Sequence, residues 1–344
     1  MGNVFDKLKK GFIGLSPMDG VTDFLYRHIV SKCGKPDLYI TEFTSVEGIS
    51  RNAVKLLRDF QFIDEERPIL AQVFGIEPQC FYDAAIIVST LGFDGIDINM
   101  GCPAKKVHRR GSGAALIQNP SLASEIIEAT LNGVRDFANG RTIEDLNLKN
   151  KMKEEIYKEA SKHPRKESGE LAVSVKTRIG YDDSVVEEWV SHLIKHDIKA
   201  ISLHGRTLKQ MYSGLADWEE IGKGAKIVRE SGKKIIGNGD IKNMQEAKER
   251  INKYDLDGVL VGRATFGNPW FFSGVEPTLR DRIELAVYHS EEFEKMAGEN
   301  VFYAMRKHLG WYLKGFPNAK DIRTRLFLTN SSKEVREILE EIEK

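Results

Sequence analysis

The stretch Gly95 to Val107, GIDINMGCPAKKV, places one thiol among residues that can make use of it. Gly101 in front of Cys102 permits close backbone approach and Pro103 behind it restrains the loop, so the sulfur is held at a defined place. Lys105, Lys106, His108, Arg109 and Arg110 follow at once. A thiol beside that much positive charge is expected to ionise readily and to lie near an anionic ligand. The competing reading makes Cys102 a small buried packing residue.

The elements that must position this thiol repeat along the chain. Ile96, Ile98 and Met100 alternate with Asp97 and Asn99, which reads as a buried strand with Cys102 just past its C-terminal tip. Similar apolar runs occur at Phe12–Ser16, Leu38–Glu42, Ile69–Val73, Val173–Thr177, Ala200–His204, Lys234–Asn238 and Gly258–Val261. Eight such runs separated by helical segments predict an α/β fold of the (β/α)8 TIM-barrel type. A doubly wound open sheet is the runner-up, but no G-x-G-x-x-G follows the first strand. In the barrel reading the strand ends carry Pro17 and Met18, Glu42, Gln72, Asn99 with Cys102, Lys176 with Arg178, His204 with Arg206, Asn238 to Asp240, and Gly262 with Arg263. Chemistry in this fold sits at those ends.

Composition narrows the function classes. The 344 residues carry no net charge, so a nucleic-acid partner has to be argued from local patches. Three cysteines, at 33, 80 and 102, cannot build a disulfide framework and favour a reducing compartment. The N-terminus lacks an apolar signal segment and no stretch is long enough to span a membrane, so a soluble cytoplasmic protein is expected. No metal centre is expected: no His pair reads as having metal spacing, and Cys102 has no Cys or His close to it in sequence except His108. No obligate protein partner is indicated.

Two regions depart from the barrel rhythm. A charged insertion, about 140–170, precedes the fifth strand and reads as a solvated helical segment. Past a barrel domain of residues 1–277, residues 278–344 read as an all-helical domain. There Phe302, Met305, Leu309 and Tyr312 recur at core-packing spacing. Between Val301 and Leu328 the only acid is Asp321, while Arg306, Lys307, His308, Lys314, Lys320, Arg323 and Arg325 interleave with Trp311, Tyr312 and Phe316. That pattern reads as a phosphate-tracking surface with stacking platforms.

The last two strands end in NGD and GRA, where glycines leave backbone N–H groups open and Arg263 adds a fork of donors, as in a barrel's phosphate-binding corner. A phosphate there, with Gln72, Lys176 and His204 facing the axis, describes a site for a flat phosphorylated cofactor. The motifs SPMDGVTD (16–23), QVFG (72–75), DINMGCPAKKV (97–107), VKTRIG (175–180), LHGRT (203–207), NGDI (238–241) and VGRA (261–264) together resemble the tRNA-dihydrouridine synthase family. They occur in the family's order over nearly the whole barrel. The tail, including RKHLGWYL, resembles that family's RNA-binding domain.

The resemblance implies an FMN enzyme that uses NADPH, or NADH, to reduce the C5–C6 bond of particular uridines in tRNA. FMN would contact Pro17, Met18, Gln72, Lys176, His204, Asn238, Gly239, Asp240, Gly262 and Arg263. Hydride from the reduced flavin would reach C6 while Cys102 gives C5 its proton as general acid. RNA contacts are expected at Lys105, Arg178 and Arg206 and, in the tail, at Arg306, Lys307, Lys314 and Arg323. Asp19 stands where the family commonly has a small residue. A small-molecule flavin barrel would lack the basic tail, and a non-catalytic RNA-binding barrel would keep the tail without Cys102, Lys176 and His204.

Overall fold

The computed structural model describes residues 3–164, 171–211 and 213–342. Its strands are β1 (Phe12–Leu15), β2 (Tyr39–Ile40), β3 (Thr44–Ser45), β4 (Ile69–Phe74), β5 (Gly95–Met100), β6 (Ala172–Gly180), β7 (Ala200–Thr207), β8 (Lys234–Asn238) and β9 (Gly258–Val261). They form one parallel sheet in the order β1-β9-β8-β7-β6-β5-β4-β2, with β3 also on β4. The ends of that path meet. Leu15 N–H donates to the Leu38 carbonyl at 2.9 Å and Asp37 N–H to the Ile13 carbonyl at 3.0 Å, which closes the barrel.

The expected (β/α)8 barrel is therefore present, with one local difference. The second run, 38–42, yields only the short β2, and β3 forms three residues beyond it. The cause is Thr41, whose hydroxyl accepts from Gln72 N–H at 3.0 Å and donates to the Glu42 carbonyl at 3.0 Å. A side chain thus takes the place of a ladder partner.

The period of two along each strand sorts residues between the barrel axis and the surrounding helices. Phe12, Leu38, Ile40, Leu70, Ala172, Ala200, Ile236 and Leu260 pack into one cluster with Val4 and Phe5 from the short N-terminal helix Val4–Lys7. This apolar plug fills the N-terminal end of the barrel. Two to six residues further along the same parity come Gln72, Asp97 and Asn99, then Ser174, Lys176 and Arg178, then Ser202 and His204, and Asn238. The interior changes from apolar to polar along the strands, so its polar end is the C-terminal one.

The chain divides into two compact units, residues 1–24 with 36–261, and residues 25–35 with 262–344. In the second unit Thr278 caps helix Leu279–Ala297 through a reciprocal bond set with Asp281. Phe302, Met305, Leu309 and Tyr312 are buried together with Ile283, Leu326, Val335 and Leu339, as their spacing required. The unit begins at Gly262, ahead of the boundary expected at 278, and takes in most of helix Phe24–Cys33. Tyr26 from that helix donates to the Thr265 carbonyl at 2.6 Å. In the insertion, helix Asn150–Ala160 buries Met152 and Ile156 while its other face is charged. Residues 165–170 lie outside the described residues. Among the described residues no helix is long and apolar enough to cross a membrane.

Candidate active site

Cys102 stands two residues past the end of β5, and the backbone groups of Gly101 and Cys102 have fixed partners. Asn99 Oδ1 accepts from Gly101 N–H at 3.1 Å and from Cys102 N–H at 2.9 Å. The Gly101 carbonyl accepts from Arg178 Nε at 2.6 Å, the Cys102 carbonyl from Ala114 N–H at 3.2 Å, and the Met100 carbonyl from Thr177 Oγ1 at 3.0 Å. Gly113, at φ +62°, lets the chain pass so close that a Cβ there would lie 2.9 Å from the Cys102 carbonyl. The loop is held from β5, β6 and the turn after it.

Its electrostatics run against the expectation of an easily ionised thiol. Burial pushes Cys102 up from its ordinary value, and the Asp19 carboxylate pushes in the same direction. The Ala104 N–H, Arg178 and Lys176 work the other way without reversing it. Lys105, Lys106, Arg109 and Arg110 are exposed on the following turn and have no comparable effect. The charges that reach the sulfur come from β6 and from the loop after β1. At neutral pH the thiol keeps its proton, the state a general acid requires.

Beneath it lies a buried polar floor. Asn99 Nδ2 donates to Gln72 Oε1 at 2.9 Å, Gln72 Nε2 to Asp97 Oδ2 at 2.7 Å, and Ser174 Oγ to Asp97 Oδ1 at 2.5 Å. Burial raises Asp97 to about 6, a rise that the Ser174 and Gln72 bonds and the Lys176 charge restrain. Burial first, and Arg178 second, lower Lys176 to about 8. Lys176 Nζ donates to Asn238 Oδ1 at 3.2 Å, and Asn238 Nδ2 donates to the Leu260 carbonyl at 2.9 Å. Asn99, Gln72, Asp97 and Ser174 thus form one hydrogen-bonded set across β4, β5 and β6, and Lys176 with Asn238 a second across β6 and β8, the Lys176 charge reaching Asp97 through space.

The loops after β7 and β8 are tied to each other. Asp240, at φ +49°, accepts from Arg206 Nη2 at 2.6 Å and from Ala216 N–H at 2.7 Å, and Arg206 Nη2 also reaches the Gly214 carbonyl at 2.7 Å. Gly239 in front of it has φ +140°, and a Cβ there would stand 2.4 Å from Ala216 Cβ. Only glycine fits this approach. His204, half-buried, ends the inward row of β7 beside Gly239.

The structure reassigns several residues. Arg178 and Arg206, expected at RNA, are buried; Arg178 holds the Gly101 and Thr207 carbonyls, and Arg206 pairs with Asp240. Asp240, expected at the cofactor, directs its carboxylate to that pair and to the Ala216 N–H. Met18 N–H already donates to Thr22 Oγ1 at 2.8 Å. In the second unit Arg306 binds the Thr329 carbonyl and Asn330 Oδ1, and Arg323 binds the Leu313 carbonyl. Tyr312, read as a stacking platform, is buried with its hydroxyl 2.9 Å from His289 Nδ1, and Trp311 stacks on Phe266 at 4.1 Å. Lys105, Lys314 and Lys320 are exposed, and Lys307 is half-buried. Gly262 and Arg263 open the second unit, where Arg263 begins a short 3-10 turn. The sequence alone does not mark Thr177, which lies on the outward parity of β6, as a positioning group, whereas Asn99 carries the signal of a polar residue at an inward strand position.

Known proteins match this architecture in sequence. The dihydrouridine synthase family matches residues 14–138 and 154–344. The chain is 32% identical over 351 aligned positions to a probable tRNA-dihydrouridine synthase of Staphylococcus aureus strain MRSA252, covering 99% of this chain and 96% of that protein. It is 33% identical, with the same coverage, to the probable tRNA-dihydrouridine synthase of Staphylococcus epidermidis strain RP62A. Probable tRNA-dihydrouridine synthase 2 of Bacillus subtilis strain 168 is 32% identical, covering 99% of this chain and 97% of that protein. With the barrel, the anchored cysteine loop and these matches spanning both units, the chain belongs to the dihydrouridine synthase family.

Proposed function

We propose that this protein reduces the C5–C6 double bond of uridines in tRNA to dihydrouridine, with FMN as its cofactor and NADPH or NADH as the reductant. The observation that carries the reading is Cys102, a protonated thiol on a loop whose backbone is hydrogen-bonded on both sides of it. Its task is to hold one proton and deliver it to C5 of the uracil. Family membership supports the substrate class, and tRNA as substrate supports a cytoplasmic location.

The donor set at the C-terminal strand ends fits a flavin. Lys176 is an ammonium whose contact with Asn238 Oδ1 uses one of three N–H donors, so two remain for an electron-rich ring edge. Gln72 keeps one amide hydrogen beyond its bond to Asp97, and His204 sits beside the Gly239 backbone. These residues would hold the ring, with the backbone of Pro17, Met18 and Gly239 near it. The assignment of Gly262 and Arg263 to the phosphate rests on their sequence motif. When bound, the flavin supplies the hydride. Because Lys176 is lowered to about 8, it is charged at neutral pH and loses that charge in mild alkali.

The decisive experiment separates flavin reduction from uracil reduction in Cys102→Ala. Only the second step needs a proton on carbon, and general acids contribute about 10² to 10⁴-fold. Stopped-flow reduction of the flavin by NADPH is expected within a few-fold of wild type, while single-turnover dihydrouridine formation falls by about that factor. Equal loss in both steps would make Cys102 structural. Absence of flavin binding by the wild-type protein would overturn the whole reading.

A further inference from the structure

The buried set beneath Cys102 has a direction. A carboxamide carries a donor and an acceptor that differ little in size, so which end meets a neighbour is decided by what that neighbour can do. At one end of the set stand the Gly101 and Cys102 N–H groups, which only donate, and they turn Asn99 Oδ1 toward themselves at 3.1 and 2.9 Å. Asn99 Nδ2 is thereby turned to Gln72 Oε1 at 2.9 Å, which leaves Gln72 Nε2 on the far side. There it meets Asp97 Oδ2 at 2.7 Å, and a carboxylate only accepts. Both ends require the same orientation of both amides.

Packing alone does not account for Asp97. It is fully buried within β5, with Gln72 opposite it on β4 and Ser174 opposite it on β6. Ser174 Oγ donates to its other oxygen at 2.5 Å. Burial lifts Asp97 to about 6, which leaves it ionised at neutral pH. Burying a carboxylate costs far more than burying an amide or an aliphatic side chain, and a position that needed only to be filled has no use for one.

We infer that Asp97 is a positioning residue for the proposed reaction: acting through Gln72 and Asn99, it fixes the backbone that carries the Cys102 thiol and the amide hydrogen that Gln72 keeps for the cofactor. The chemical consequence rests on that reaction, whereas the path itself, three hydrogen bonds from carboxylate to Cys102 N–H, does not. Without the acceptor at Asp97, Gln72 Nε2 becomes a buried donor with no partner, and the amide turns to find one. Asn99 Nδ2 then loses its fixed acceptor. Its Oδ1 in turn loses its hold on the Cys102 N–H, and the thiol is no longer kept at one place.

The test reads the far end of the path directly. The chain has three cysteines, at 33, 80 and 102, so labelling the full chain with ¹⁵N-cysteine leaves three backbone N–H signals, and Cys102→Ser identifies one of them. Hydrogen exchange is followed at pH 7. The Cys80 N–H, bonded to the Glu77 carbonyl at 3.0 Å, and the Cys33 N–H, at the end of helix Phe24–Cys33, report any general loosening. Asp97→Leu is expected to exchange at Cys102 at least about tenfold faster than wild type, with Cys33 and Cys80 unchanged. Asp97→Asn keeps an acceptor, because its amide oxygen takes the Gln72 hydrogen while its nitrogen donates to Ser174 Oγ, a hydroxyl that accepts as well as donates. It is expected to restore the protection. With FMN saturating, single-turnover dihydrouridine formation should fall at least about tenfold in Asp97→Leu and recover in part in Asp97→Asn. Equal Cys102 exchange in wild type and Asp97→Leu overturns the path, as does an Asp97→Asn variant that exchanges as fast as Asp97→Leu. Lost protection with an undiminished rate overturns the positioning role. A wild-type protein that forms no dihydrouridine overturns the proposed reaction, and the exchange data then still decide the path. Should Asp97→Leu fail to fold, Gln72→Met removes the next link, and Cys102 protection retained there overturns the path equally.

Discussion

Asn99 and Cys102 are joined by a side chain that acts as a backbone clamp: Asn99 Oδ1 accepts the Cys102 and Gly101 N–H groups while its Nδ2 reaches Gln72. The last inward polar residue of β5 therefore decides where the thiol stands. Asn99→Leu leaves two backbone donors and the Gln72 oxygen without their partner, each at about 1–3 kcal/mol if it stays buried. Dihydrouridine formation is expected to fall at least tenfold at saturating tRNA, with flavin content unchanged. Asn99→Asp keeps the acceptor for both N–H groups and is expected to recover part of the rate. Equal activity in wild type and Asn99→Leu would show that the loop holds itself.

The ionisation of Cys102 should respond to Asp19. Burial and the Asp19 carboxylate both disfavour the thiolate, so removing that charge lowers the thiol's pKa. Iodoacetamide labelling, followed peptide by peptide across pH 6 to 10, is expected to rise later for Cys102 than for a free thiol near about 8.5. In Asp19→Asn the rise should move toward lower pH. No movement would mean that Asp19 and the sulfur do not sense each other.

The second unit holds two histidines that must stay neutral. Burial lowers His289 to about 3 and His308 well below its ordinary value, and the rings lie 4.8 Å apart between centroids. Their folded values lie below the unfolded value near about 6.5, so the stability they contribute is complete above that pH. It is lost as pH falls below that value, toward 3 in the case of His289, at up to about 1.4 kcal/mol per pH unit for each. Thermal melts between pH 8 and 5 should show falling stability below 6.5, with a shallower fall in His289→Gln. Identical slopes would remove His289 from the acid response.

Charge reversal in the tail should weaken RNA binding where the cations are exposed. Lys314 and Lys320 have exposed side chains, whereas Arg306 and Arg323 already hold carbonyls of the fold. Lys314→Glu with Lys320→Glu is expected to weaken tRNA binding and to flatten the slope of log K against log salt by somewhat under about one unit per lost contact. Flavin reduction by NADPH should be unchanged. Unaltered affinity would mean that tRNA binds elsewhere.

How far the sequence alone reaches depends on whether a property is local. The strands were legible because parallel strands are buried on both faces and read as apolar runs, and the Cys102 loop because Gly101 and Pro103 restrain it locally. The ionisation of Cys102 was misread because its sequence neighbours, Lys105 to Arg110, turn outward, whereas Arg178, Lys176 and Asp19 reach it through space. Arg178 and Arg206 read as ligand-facing because an arginine at a strand end shows its charge and hides its burial.

Helix Phe24–Cys33 belongs with residues that lie more than two hundred positions later in the chain. During synthesis it leaves the ribosome early, while Thr265, His289 and His308, the partners of Tyr26, are made near the end. Until then Tyr26 lacks them, and the connection from β1 to β2 runs through a segment whose own packing is unfinished. A nascent chain that stops after β9 has every barrel strand but no finished second unit. The barrel's first crossover therefore waits for the C-terminus, and translation has to reach the last helices before the early part of the chain is complete.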